Sequence, residues 1–182
     1  NYPLEHGKPH DGALTEEETA ASTPLFLQWD KRWGYLDYGS SVAALSGCGP
    51  VCLSMAGYSL TRDENTFRPD KMIRFALDHG YCVPGNGSKW TLISEGGEEL
   101  GLDVTELPLD ENRMVRALEA GQLIICIMGP GVFTTTGHYI VLTGVEDGKF
   151  QVNDPNSREN SQKLWDYDEF ADQIRNLWAI GA

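Results

Sequence analysis

Helical spacing of apolar residues marks the first half of the chain, and strand-like runs mark the second. Within residues 45–60, Val51, Leu53, Met55 and Ala56 follow Pro50, a residue suited to a first helical turn, which predicts a helix with Cys48 at its N-terminus. A second helix is expected over 70–79, where Met72, Ile73, Phe75, Ala76 and Leu77 are apolar and Gly80 supplies the stop. Residues 90–100 carry a weaker helical pattern, because Gly96 and Gly97 lower helix propensity. After a short strand over 102–107, residues 110–120 read as a capped helix ended by Gly121. The pattern then changes. The unbroken apolar run Leu123–Met128 suits a strand covered on both faces, and 138–145 and 149–153 flank Asp147-Gly148 as a hairpin. A helix around 167–174 and a strand around 177–180 follow. Helices first and a mostly antiparallel sheet second is an α+β order.

Residues 1–23 lack such a pattern. Pro3 and Pro9, with Pro24 just beyond, and the run Glu16 to Glu18 read as an acidic arm or linker, which leaves 24–182 as the domain. Thr15 followed by Glu18 fits a capping box for a short helix, without an amphipathic face to support it. The 182 residues allow one domain, and 41% hydrophobic content with 5 Trp, 6 Phe and 7 Tyr supplies a packed interior. Lys and Arg number 14 against 27 Asp and Glu, giving a net charge of −13. Phosphates would repel such a chain, so neither nucleic acid nor an anionic membrane is an expected partner. The longest apolar run is six residues, far short of the roughly 18 of a membrane span. No repeat appears. The chain opens at Asn1 with no signal segment in view, and secretion or attachment at a cell surface is the expected location.

Candidate chemistry begins with Cys48, in Ser46-Gly47-Cys48-Gly49-Pro50. The free N–H groups and positive dipole end of a helix stabilise a thiolate, and flanking glycines admit a substrate backbone. A small buried cysteine in a glycine turn would carry the same pentapeptide. Cys52, one turn further along, is expected to pack inward as an inert thiol, and Cys126 likewise. Cys82, beside Tyr81 and Pro84, is left undecided. No spacing among these thiols is a CxxC, and with His138 they fit no usual zinc pattern, so no metal and no cofactor is expected. A cysteine nucleophile needs a base, and His138 stands at the mouth of a strand. His6 and His10 lie in the arm, and His79 sits at a helix C-terminus, where a cation is favourable without catalysis.

Hairpin register decides which of Asn153 and Asp154 shares a face with His138. A two-residue Asp147-Gly148 loop pairs Glu146 with Lys149 and brings Asn153 to that face. A type I turn with Gly148 in a G1 bulge pairs Val145 with Lys149, sets Ile140 opposite Asp154, and makes His138 and Asp154 diagonal neighbours. The second register is expected, because Gly suits the bulge and Asp154 precedes Pro155, where a strand ends.

Gln28-Trp29-Asp30-Lys31-Arg32-Trp33-Gly34, Gly47-Cys48-Gly49-Pro50, the run from Gly137-His138-Tyr139 to Thr143-Gly144, and Val152-Asn153-Asp154-Pro155-Asn156-Ser157 occur in this order. Together they resemble the C39-like cysteine peptidases of bacteria over residues 24–182. The resemblance implies a papain-like α+β fold, with N-terminal helices on a mostly antiparallel sheet. It also implies Cys48 as nucleophile, His138 as base, Asp154 as the group orienting it and Gln28 as an oxyanion donor, acting on a peptide or protein substrate. Gln28 lies twenty residues before Cys48, whereas in domains that trim double-glycine leaders the glutamine is only a few residues away. A loop through 38–46 is therefore expected to bulge out between them. Val51 stands where relatives often carry Thr, and no transporter segment is present, so leader specificity does not carry over. The glycine-rich stretches 84–90 and 129–134 are candidate cleft walls. The same triad could run an acyltransferase, and a silent binding or cell-wall-associated module could keep the fold.

Overall fold

The computed structural model describes residues 12–182, and its first element is α1, Glu16–Ala20. Its capping box forms: Glu18 N–H donates to Thr15 Oγ1 at 3.1 Å, and Thr15 N–H donates to the Glu18 carboxylate at 2.8 Å. None of its residues is buried, so it is held from outside. Arg32 donates to both Glu18 carboxylate oxygens at 2.7 and 2.8 Å, and Arg62 donates to the carbonyls of Thr19 and Ala21. Residues 12–23, expected as an arm or linker, lie against the domain by these contacts, and both arginines come from outside the segment. Residues 1–11, with Pro3, Pro9, His6 and His10, fall outside the described residues.

A small hairpin of β1, Asp37–Tyr38, and β2, Ser41–Val42, leads into a helical turn, α2, Ala43–Ser46. Gly47 breaks that turn from α3, Cys48–Thr61, so the helix expected over 45–60 begins at Cys48. From Gly49 to Tyr58 every residue of α3 is buried, which makes it a core helix without a wet face. Next come α4, Glu64–Phe67, and α5, Pro69–Asp78, an amphipathic helix with Pro69 in its first turn and Met72, Ile73 and Ala76 buried. His79 caps its C-terminus, the ring Nδ1 2.9 Å from the Phe75 carbonyl. A second small hairpin joins β3, Cys82–Val83, to β4, Gly87–Ser88. The weak helix over 90–100 becomes a π-turn, Leu92–Gly96, and a short α6, Gly97–Glu99. A Cβ on Gly97 would lie 2.7 Å from Val104, so this glycine admits the next strand.

That strand is β5, Asp103–Glu106, followed by α7, Glu111–Glu119, which Asp110 caps at the Arg113 N–H. The remaining elements are β6, Leu123–Met128; β7, His138–Glu146; β8, Lys149–Asn153; β9, Leu164–Trp165; α8, Tyr167–Phe170, with a 3-10 turn Ala171–Gln173; and β10, Ile174–Gly181. Six strands form one sheet in the order β5-β10-β6-β7-β8-β9, every pair antiparallel. All of β6 is buried, as its unbroken apolar run suggests. Leu123, Ile125 and Ile127 face the core built on α3 and α5, and Ile124, Cys126 and Met128 face a second core with Met114, Phe150 and Phe170. Each such side chain contributes about 1.5–3 kcal/mol on burial. The α+β architecture is papain-like.

The β7–β8 hairpin differs from expectation in its turn. Glu146 pairs with Lys149 around a two-residue loop in which Asp147 and Gly148 both have positive φ, 53° and 77°, the twist that suits adjoining strands. The extra residue is absorbed higher up, at Thr143, where the register shifts between Leu142 and Gly144. This arrangement sets Val145 opposite Phe150, packed on the second core, whereas the expected turn would have set it opposite Lys149. Beyond Thr143 the two schemes coincide, with Leu142 opposite Val152 and Val141 opposite Asn153.

Candidate active site

Three elements converge on one cleft of about 890 Å³. Its floor holds Cys48, the first residue of α3, and His138, the first residue of β7. A Cβ on Gly49 would lie 2.7 Å from Ser88 Oγ, so glycine here lets β4 close against the helix start. Tyr139 Oη also donates to the Ser88 carbonyl at 3.1 Å, and Tyr38 Oη meets Ser88 Oγ at 2.5 Å. Ser88 thereby ties both small hairpins to the helix that carries Cys48.

His138 is 6% exposed, and its Nε2 is 2.6 Å from Asp154 Oδ1. With Nε2 so engaged, Nδ1 is the nitrogen left for the Cys48 thiol, with which the ring also hydrogen-bonds. Asp154 is 1% exposed and otherwise well fixed: Asn156 N–H donates to Oδ1 at 2.9 Å, Asn160 Nδ2 donates to Oδ2 at 3.1 Å, and its own N–H donates to Ser161 Oγ at 2.8 Å. Asn153 points the other way, its amide donating to the carbonyls of Thr23 and Pro24. The expected face assignment of Asp154 and Asn153 therefore holds, reached through the Thr143 bulge instead of a bulged turn. The Asp154 to Ser157 stretch is also a turn, with Ser157 N–H donating to the Asp154 carbonyl.

Burial alone would raise the Cys48 thiol above its ordinary 9.0; the His138 hydrogen bond and charge, with backbone N–H groups of Tyr139 and Gly49, more than offset this and lower it. Burial likewise opposes protonation of His138, and the Asp154 hydrogen bond together with the Cys48 thiolate reverses that, raising the imidazole well above its ordinary 6.5. Both shifts favour the charged pair, a thiolate beside an imidazolium. Cys52 and Cys126 are buried without such a cation, and burial pushes both thiols up. Cys82 is half-buried on β3, beside Tyr38.

Gln28 lines the same cleft despite the twenty-residue gap. Its backbone N–H donates to the Pro155 carbonyl at 2.7 Å, and the neighbouring Trp29 indole donates to the Asn156 carbonyl at 3.1 Å, so the loop after Asp154 fixes its place. The residues between are not a loose loop: the 37–42 hairpin buries Tyr38, and Ala44, Leu45 and Ser46 line the cleft. Gln28 is 3% exposed, with Nε2 donating to the Ala44 carbonyl at 3.1 Å and Oε1 left without a partner. Of the two glycine-rich stretches, 85–90 forms one wall, and the second reaches the cleft at Thr134 while Phe133 turns away into the second core against Trp165 and Phe170. Asn160 and Ser161 were not legible as site residues; their only signal is a polar turn following Asp154-Pro155. Among the described residues no cluster of three or more His, Cys, Asp or Glu could hold a metal ion, and no helix is long and apolar enough to cross a membrane.

A papain-like α+β domain with a cysteine at a helix start facing a strand-borne histidine defines the class to which this protein belongs. The chain is a member of the Peptidase_C39 like family, whose sequence profile matches residues 21–180. Among solved structures it is similar to the peptidase domain of Streptococcus ComA, described as a bi-functional ABC transporter involved in a quorum sensing pathway. The TM-score is 0.56 at 17% identity, over 86% of this chain and 96% of that one. It is also similar to a Bacillus anthracis protein described as a C39-like peptidase, with TM-score 0.52 and 14% identity over 88% of this chain and 96% of that one. These likenesses establish the fold. No curated protein matches the chain.

Proposed function

We propose that the protein is a cysteine peptidase in which Cys48, His138 and Asp154 act as a triad through a thioester. The observation that carries this reading is the single imidazole hydrogen-bonded on one side to a buried carboxylate at 2.6 Å and on the other to a thiol at a helix N-terminus, at the floor of an open cleft. The Cys48 thiolate attacks the peptide carbonyl carbon, forming a C–S bond while the carbonyl electron pair moves to oxygen. The Cys48 backbone N–H, at the helix start, and the second Nε2 hydrogen of Gln28 would receive that oxyanion, a side-chain donor contributing about 3 kcal/mol. Collapse expels the amine, which takes the His138 proton. Water then adds to the thioester, giving its proton to His138, and the C–S bond breaks to release the carboxylic acid and restore the ion pair. Asp154 holds the imidazole in the orientation both steps need.

The test is to incubate the protein with a peptide library, trap the acyl-enzyme at acid pH and locate the adduct by mass spectrometry. A thioester on Cys48, absent in Cys48→Ala and accumulating less in His138→Ala, is the expected result. Cleavage that survives Cys48→Ala would overturn the assignment. Products extended by an added amine in place of hydrolysis would show that the site performs acyl transfer.

A further inference from the structure

Resting on the peptidase reading, we propose that the cleft selects acidic peptides, with Arg175 as the residue that receives an Asp or Glu side chain of the substrate and Lys89 assisting from the 85–90 wall. The chain carries 27 acidic residues against 14 basic ones, yet no Asp or Glu among the described residues lines the cleft, and the two side chains of fixed charge that do are Lys89 and Arg175. Among the described residues neither is in an ion pair. A strongly negative protein repels anionic peptides at long range, so a local positive wall is what would let one settle.

Arg175 is aimed by the backbone. Along β10, Ile174 pairs with Met128 and Asn176 with Ile127, so Arg175 is the extra residue of a β-bulge, a device that re-aims a side chain out of the regular pleat. Its guanidinium then packs over Gly129, where a Cβ would lie 2.6 Å from Nε and 3.2 Å from an Nη nitrogen. Bulge and glycine together make a seat for this one side chain. Ile174, Met128 and His138 lie side by side across three strands, two steps of about 4.8 Å, so the backbone beside Arg175 is about 10 Å from that of His138. An extended peptide covers that span in about three residues. The remaining lining suits a peptide better than a small anion. Leu45 is 76% exposed and Trp90 45% exposed, and both face the same cleft, offering apolar contact beside the two cations.

The experiment uses matched fluorogenic peptides, identical except for Glu, Gln or Lys at each position within four residues of the cleaved bond, each made with free and amidated C-termini. The wild type is expected to show kcat/KM at least about 10-fold higher for the Glu peptide than for its Gln counterpart at one of these positions, with the Lys peptide lowest. Arg175→Glu should invert that order, Arg175→Lys should keep it, and Gly129→Ala should weaken it by displacing the guanidinium. Binding of the same peptides to Cys48→Ala, read by fluorescence anisotropy, separates recognition from turnover. Acidic preference in binding that Arg175→Glu abolishes supports the proposal even where no peptide is cleaved, in which case only the peptidase reading fails. Equal binding of Glu and Lys peptides, or an acidic preference that survives both Arg175→Glu and Lys89→Glu, overturns it. So does a preference that vanishes on amidation, which would make the ligand a terminal carboxylate. Circular dichroism of each variant establishes that it is folded.

Discussion

Cys48 and Cys52 stand one turn apart on α3, both as free thiols, in surroundings that push them in opposite directions. In the first turn the sulfur borders the cleft, meets an imidazolium and backbone N–H groups, and is lowered. A turn deeper the sulfur is sealed among apolar side chains; burial raises it, and the neighbouring Cys48 and Asp154 charges raise it further. Residue type is identical, so the difference lies in access to the helix end and to one cation. Reactivity here belongs to a place on the helix, and the place is completed by the sheet.

The largest effect that would sharpen this contrast is on turnover. Cys48→Ala is expected to reduce peptide hydrolysis by about 10⁴-fold or more, whereas Cys52→Ala should keep it within about threefold and instead cost about 1 kcal/mol in urea unfolding, the loss of one buried sulfur. The next concerns the cation. If His138 holds the thiolate, His138→Ala returns Cys48 toward an ordinary thiol, about 3% ionised at pH 7, and alkylation by iodoacetamide should slow by up to about 30-fold. An unchanged rate would mean that the helix end alone sets the contrast.

Stability should follow the same pair with pH. The Cys48 value is depressed, so its contribution is complete above the ordinary 9.0 and lost as pH falls through the lowered value. The His138 value is raised, so its contribution is complete below the ordinary 6.5 and lost as pH rises through the higher value. The unfolding free-energy difference between wild type and Cys48→Ala should therefore shrink on acidification, and that between wild type and His138→Ala should shrink on going alkaline. Parallel curves across pH would break the ion-pair account. The smallest effect is expected from deleting Thr143. Without it the hairpin becomes a regular ladder that retains the Leu142–Val152 pair, so the acid limb of Cys48 alkylation should stay in place. A displaced limb would show that the bulge itself positions the imidazole.

What the sequence revealed follows from how local each determinant is. The helix start that carries Cys48 is written in five consecutive residues, and its position and the inward packing of Cys52 could be read directly. The His138 and Asp154 pairing is non-local, yet a glycine suited to a bulge and a strand end marked by Pro155 point to the right partner, although the extra residue sits at Thr143 and not in the turn. That residue could sit at Gly148 or at Thr143 with the same outcome at the site, and only the packing of Val145 over the second core decides between them. The hairpin that bridges Gln28 to Cys48 has strands of two residues each, too short to leave a period. The aim of Arg175 depends on a bulge and on Gly129, at the end of β6 and four strands earlier in the chain, a coincidence no local pattern carries.

Strand β10 lies between β5 and β6, with its partners on both sides made earlier in the chain. During synthesis, then, β5 and β6 emerge with a gap between them, and the sheet cannot close until residues 174–181 have left the ribosome. Because Arg175 and Ile174, the neighbour of Met128 on one side, come with that strand, the cleft is completed only after β5 to β9 have been made. A nascent chain could therefore hold its cysteine-bearing helix long before it held the cleft that the helix faces.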